Sequence, residues 1–75
     1  MYFPTVRKTL LLDTKKAEVV VRQVSRWVIE SINVEGLPDF PPDREDSYDT
    51  SDEAIKACAR QVESVTGETV RAILD

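Results

Sequence analysis

The chain has 75 residues, enough for one small domain, and a domain of this size buries only about 60% of the surface that its unfolded chain exposes. It contains no histidine and one cysteine, so the commonest general base and the usual zinc ligands are missing, and we expect no enzyme, no metal site and no cofactor. No apolar run exceeds three residues, which argues against a membrane-spanning helix, and we expect a cytoplasmic protein.

The formal charge of −4 is distributed unevenly along the chain. Residues 37–53 hold seven acidic side chains and one basic one, whereas residues 1–36 are mildly basic. Opposed charged regions can steer a partner and fix its orientation. This layout favours a protein that binds another protein.

The first segment, residues 5–13, is ambiguous. Its alternation of Val6, Lys8 and Leu10 with polar residues suits a short strand, but its leucines suit a helical turn equally well. A single strand cannot satisfy its own backbone groups, so a strand here would call for a partner such as a second copy of the chain. Both alternatives stay open at this point.

Residues 14–35 are predicted to form one long amphipathic helix. Apolar residues recur at spacings of three and four, as in a helical stripe, at Ala17, Val20, Val21, Val24, Trp27, Val28 and Ile32. Asp13 or Thr14 can cap the start of this helix, and Gly36 can close its end. Arg22 and Arg26 would then lie together on its outer face.

Residues 37–49 are predicted to form a long acidic loop. Prolines interrupt this segment, and it shows no periodicity. We expect the loop to stay in solvent and to expose Asp43, Glu45, Asp46 and Tyr48.

Two short helices are predicted after the loop. Thr50 and Glu53 have the spacing of a capping box, and the apolar residues that follow share one helical face. A turn is expected at Thr66-Gly67. A last helix over residues 68–75 would then turn Val70 and other apolar side chains inward.

These elements predict a mainly α-helical fold, with a single small domain over residues 1–75 and an optional short strand near its start. The function that we expect is that of a small non-enzymatic regulatory or adaptor protein that binds another protein and no membrane, and a homodimer stays an open alternative. The residues expected to bind the partner are the exposed charged and aromatic ones, namely Arg22, Arg26, Asp43, Glu45, Asp46 and Tyr48.

The stretch ARQVESVTGETVRAIL, residues 59–74, resembles the helix-turn-helix pattern of bacterial regulators. The resemblance rests on the small residue Ala59 in the first helix, Thr66 as the cap of the second, and apolar residues behind it. It implies a DNA-binding transcription regulator that reads DNA with Thr66, Gly67, Thr69 and Arg71. Because DNA affinity comes largely from phosphate neutralisation, the zero net charge of residues 54–75 disfavours a nucleic acid as partner.

The sequence DSYDT, residues 46–50, resembles the segment around the prosthetic-group serine of acyl carrier proteins. This resemblance implies a carrier protein that is modified on Ser47. It is a third and more remote alternative.

Overall fold

The computed structural model describes residues 4–37 and 46–74. Four strands form one antiparallel sheet in the order β3-β2-β1-β4, so the last strand of the chain pairs with the first. One helix covers a single face of this sheet, chiefly above β2 and β3. In chain order the elements are β1 (Thr5–Leu11), β2 (Lys16–Gln23), β3 (Trp27–Val34), α1 (Ser51–Thr66) and β4 (Ala72–Leu74).

The prediction of a mainly α-helical fold is wrong, because the long helix expected over residues 14–35 is the hairpin of β2 and β3. Ala17, Val19 and Val21 are every second residue of β2 and belong to the core, whereas Val20 between the last two lies on the opposite face. β-Branched side chains lose rotamer freedom in a helix but pack well on a pleated sheet. The run Val19–Val21 therefore favours the strand once a second strand is available to pair with it.

A β-bulge explains why the same residues imitate a helical period. Val20 pairs with Ser31 whereas Val21 pairs with Ile29, so Glu30 is an extra residue in β3. The bulge places the buried Ile29 and Ile32 three positions apart, which is a helical spacing. The turn at residues 24–26 also lacks the glycine, asparagine or proline that usually marks a hairpin.

Residues 5–11 form strand β1, which resolves the alternative that the sequence left open. The strand pairs with β2 along its whole length and with β4 over its last three residues. Residues 9–11 of β1 therefore have a strand on both sides, whereas residues 5–8 pair with β2 on one side.

Helix α1 is the one predicted helix that the structure contains. The Thr50 hydroxyl accepts a hydrogen bond from the Glu53 amide at 3.1 Å, which is the predicted N-cap. Gly67 ends the helix with φ near 72°, and its amide donates to the Glu63 carbonyl at 2.9 Å. The face that packs on the sheet carries Ala54, Ile55, Ala57, Cys58 and Val62.

The last predicted helix is wrong as well, because residues 72–74 form strand β4. Gly67 in the left-handed region stops the preceding helix, and the chain then reaches the edge of β1. Ala72 pairs with Leu11, and Leu74 pairs with Thr9. An unpaired strand edge offers backbone hydrogen bonds that a three-residue helix could not supply, so the short segment extends.

The core lies between α1 and the sheet, and its sheet side comes from alternate residues of β1, β2 and β3. Leu10, Val19 and Ile29 are fully buried there, and Cys58 and Val62 face them from the helix. None of the helical residues in the described ranges forms a segment long and apolar enough to cross a membrane.

Candidate protein-binding face

The sheet surface opposite α1, called the open face below, has no second layer among the described elements. Register assigns every second residue of each strand to it, because directly paired residues of antiparallel strands point to the same side. Its members are Thr5, Arg7, Thr9 and Leu11 of β1, Lys16, Glu18, Val20 and Arg22 of β2, Val28, Ser31 and Asn33 of β3, and Ala72 and Leu74 of β4.

Two ion pairs cross the open face. Arg7 lies 3.8 Å from Glu18, and Arg22 lies 3.8 Å from the bulged Glu30. All four side chains are substantially exposed, so each pair contributes about 1 kcal/mol or less to stability. Val20 lies on the same face and does not belong to the core cluster beneath α1, yet it is only 6% exposed. This burial is expected where long charged side chains lie over an apolar neighbour.

Two shallow depressions open at this side of the sheet. The larger, of about 480 Å³, lies where β2 and β3 approach the turn at Glu35, and it is lined by Thr9, Lys16, Ala17, Glu18, Asn33, Val34 and Glu35. The smaller, of about 310 Å³, lies beside the bulge and is lined by Arg22, Val28, Ile29 and Glu30. The open face is therefore uneven, with mixed charge and several apolar side chains.

Arg22 has a feature that distinguishes it from the other cations of the open face. Its Nε atom is buried and has no hydrogen-bond acceptor within the described part of the chain. A buried donor without an acceptor is costly, and native proteins rarely leave one unsatisfied. The Nε atom itself is enclosed, whereas the side chain as a whole is 42% exposed, so an acceptor oxygen from outside the chain would reach this donor once the guanidinium group turns outward beside the smaller depression.

Arg26, Asp46 and Tyr48, three of the residues predicted to bind a partner, lie at one end of the sheet. Arg26 donates from Nε to the Ser47 hydroxyl at 2.7 Å, and its Nη1 lies 2.7 Å from Asp49. Tyr48 exchanges two backbone hydrogen bonds with Trp27, at 2.8 and 2.9 Å.

These contacts make Arg26 and Tyr48 less accessible to a partner than the sequence predicted. Tyr48 is half-buried against the core rather than fully exposed, and Arg26 is already neutralised by an acidic residue of its own chain. Asp46 is exposed beside Ser47. Asp43 and Glu45 lie outside the described residues. Among the four predicted residues that the structure describes, only Arg22 lies on the open face.

The predicted helix-turn-helix is wrong, since the segment after the turn is a strand and no recognition helix exists there. Thr66 donates to the Val62 carbonyl at 2.7 Å, Gly67 is the helix C-cap, and Thr69 is exposed between α1 and β4. Arg71 lies 2.6 Å from Asp13 and is neutralised there. The four residues therefore join α1 to the sheet instead of presenting a DNA-reading surface.

Ser47 is exposed at the surface, as the resemblance to acyl carrier proteins requires. Its hydroxyl and carbonyl both accept from Arg26, at 2.7 and 3.3 Å. The long first helix that supported this resemblance is the hairpin of β2 and β3. Modification of Ser47 stays an untested prediction.

The chain matches no protein-family model, no curated protein and no solved structure. The described residues also contain no group of three or more metal-ligating side chains placed to hold an ion. The function must therefore be inferred from the surface alone.

Sequence reasoning missed a polar clamp that holds β4 in place. Glu68 accepts from the Thr14 amide and the Thr14 hydroxyl, both at 2.8 Å, and its carboxylate lies 3.3 Å from the Lys15 ammonium. These hydrogen bonds, followed by the positive charge of Lys15, lower the pKa of Glu68. The clamp fastens the segment between α1 and β4 to the turn that joins β1 and β2.

Replacing Glu68 with glutamine is expected to lower the melting temperature at pH 7. A carboxyl group whose pKa is lowered by folding stabilises the folded state above its ordinary pKa of about 4.5 and loses this effect as the pH falls through the folded value. The difference between wild type and Glu68→Gln should therefore shrink below pH 4.5 and vanish in stronger acid. Thermal melts across this pH range measure it.

Glu35→Gln is the matched control, since Glu35 is an exposed glutamate in the turn after β3. It should melt close to wild type at every pH. A Glu68→Gln variant that melts like Glu35→Gln at pH 7 would show that the clamp does not stabilise the fold.

Proposed function

We propose that this protein is a small non-enzymatic module that binds another protein through its open face, with Arg22 as one of the contact residues. The single observation that carries the proposal is the buried Arg22 Nε donor that lacks an acceptor within the described residues. An acceptor oxygen of a partner, from a backbone carbonyl, an amide or a carboxylate, would satisfy it after the half-exposed guanidinium group turns outward.

The surroundings of Arg22 support a protein surface as the partner. The smaller depression combines an apolar side chain, Val28, with the Arg22–Glu30 ion pair. Arginine is enriched at protein interfaces because its planar group donates several hydrogen bonds and its stem packs against apolar atoms. A partner that covers Val28 would also remove water from this ion pair and from the new hydrogen bond.

The geometry also favours a broad contact over a small ligand. The two depressions lie at different ends of the same face, and both are shallow. Small-molecule sites are usually deep and bury most of their ligand. A partner protein can fill both depressions at once.

The proposal is tested by affinity capture from extracts of the source organism with three baits: wild type, Arg22→Glu and Arg60→Glu. Arg60 is an exposed arginine of α1, on the other side of the molecule, so the two variants make the same change in charge. We expect a protein captured by wild type and by Arg60→Glu to be lost with Arg22→Glu.

Thermal melts should first show that both variants are folded, because the Arg22–Glu30 pair is half-exposed and contributes little. Equal capture by all three baits would refute a role of Arg22. Capture of no protein by wild type would refute the open face as an interaction surface under these conditions.

A further inference from the structure

The two edges of the sheet are protected very differently. At the β3 edge, Tyr48 bridges Trp27 at one end, Leu37 bridges Val34 at the other, and the bulge at Glu30 interrupts the ladder between them. Covering segments and bulges are the devices by which natural proteins prevent strand edges from pairing with other chains. This edge is closed to a partner.

Within the described residues, the β4 edge has neither a covering segment nor a bulge. Its three residues, Ala72, Ile73 and Leu74, carry no charge and no proline, and no bulge interrupts its pairing with β1. Ile73 and Leu74 are 45% and 47% exposed, and register turns them to opposite faces of the sheet. An edge strand with apolar side chains on both faces is typical of a strand that acquires a neighbour.

The hydrogen-bonding phase of the sheet points Ile73 outward. The Gln23 amide donates to the Pro4 carbonyl at 3.0 Å, so the alternation along β1 turns the backbone groups of Thr9 and Leu11 towards β4. Their partners Leu74 and Ala72 therefore bond to β1, and Ile73 between them directs its amide and carbonyl to the open side.

We infer that β4 pairs antiparallel with β4 of a second copy of this chain, about a two-fold axis at Ile73. In this register the two Ile73 residues form a hydrogen-bonded pair, and the small Ala72 faces the large Leu74 of the other copy on the open face. The pairing joins two four-stranded sheets into one sheet of eight strands.

A second copy is the favoured occupant because the segment is complementary to itself. Reversal about Ile73 sets each of residues 72–74 against an uncharged residue of the other copy, so no like charges meet within the pair. Glu68 and Asp13 hold β4 on β1 beforehand, which reduces the ordering that association requires.

The interface is short, so the dimer is expected to be weak. Three paired residues a side place it in the class of small, transient interfaces below about 1,200 Å². We expect a dissociation constant on the order of 10–100 μM. The inference goes beyond the proposed function, since it concerns the sheet edge and not the contact at Arg22.

Sedimentation equilibrium of the full chain, from about 5 μM to about 1 mM, tests the inference with two matched variants. Ile73→Lys puts like charges opposite each other at the two-fold axis and should weaken the dimer about 10-fold or more. Val24→Lys makes the same kind of change at a valine that is 46% exposed in the turn between β2 and β3, and it should dimerise like wild type.

Circular dichroism should show that both variants keep the wild-type fold, since neither side chain belongs to the core. A wild type that stays monomeric at the highest concentration would overturn the inference, as would equal dimerisation of Ile73→Lys and wild type. Failure here leaves the capture result with Arg22→Glu unaffected, so the two proposals fail separately.

Discussion

Replacing Leu10 with alanine is expected to lower the free energy of unfolding by about 2–5 kcal/mol. Leu10 is 0% exposed and lies in the middle of the core, in β1. A domain of this length has a total stability of roughly 4–11 kcal/mol. The variant should therefore be largely unfolded under mild denaturant, and urea titration followed by circular dichroism measures the loss.

The neighbouring Leu11 provides the control for this substitution. The pairing with Lys16 and Ala72 places Leu11 on the open face, where it is half-buried. Leu11→Ala should cost about 1 kcal/mol or less. Equal losses at the two positions would contradict the alternation of core-facing and open-face residues along β1.

Alkylation of the Cys58 thiol in the folded protein is expected to be about 1,000-fold slower at pH 8 than in the urea-unfolded chain. Burial under α1 raises the pKa of Cys58 from 9.0 to about 12, which lowers the reactive thiolate fraction at pH 8 by about this factor. The side chain is also fully enclosed. Mass spectrometry after timed addition of iodoacetamide follows the reaction.

Cys58→Ala serves as the unlabelled control for this experiment. A labelling rate within tenfold of that of the unfolded chain would show that α1 does not cover Cys58 as described. Such a rate would also remove the basis for the core assignment of the helix.

The same thiol makes stability depend on alkaline pH. Below pH 9 the Cys58 thiol is neutral in the folded and the unfolded state, so its pKa difference does not change the free energy of unfolding. Between pH 9 and 12 the thiol ionises in the unfolded chain but stays neutral in the folded one, which favours unfolding. Wild type should therefore lose up to about 1.4 kcal/mol per pH unit between pH 9 and 12 relative to Cys58→Ala. This comparison separates the thiol from other groups that titrate in alkali.

Some local features could be predicted from the sequence because short-range chemistry determines them. Thr50 and Glu53 define the start of α1, and Gly67 supplies the left-handed residue that ends it. Arg22 was predicted on the outer face of a helix, whereas it lies half-buried in strand β2. The clamp at Glu68 could not be predicted, because Thr14 and Glu68 are 54 positions apart in the sequence.

The fold class depended on contacts that no local window contains. In residues 14–35 the turn at residues 24–26 and the extra residue Glu30 interrupt the alternation of apolar and polar side chains that is typical of a strand. The remaining spacing of apolar residues fits a helical period as well as an extended one. Residues 72–74 are too short to favour either state, and the free edge of β1 makes them a strand.

The sequence by itself therefore determined the charge layout and the capped helix α1, because each depends on neighbouring residues, whereas residues 38–45 of the predicted loop lie outside the described residues. Only the tertiary structure decided that residues 5–34 form three paired strands and that β4 pairs with β1 at the edge of the sheet. The physical reason is that strand hydrogen bonds join distant residues, whereas a helix satisfies its backbone within four residues of each position.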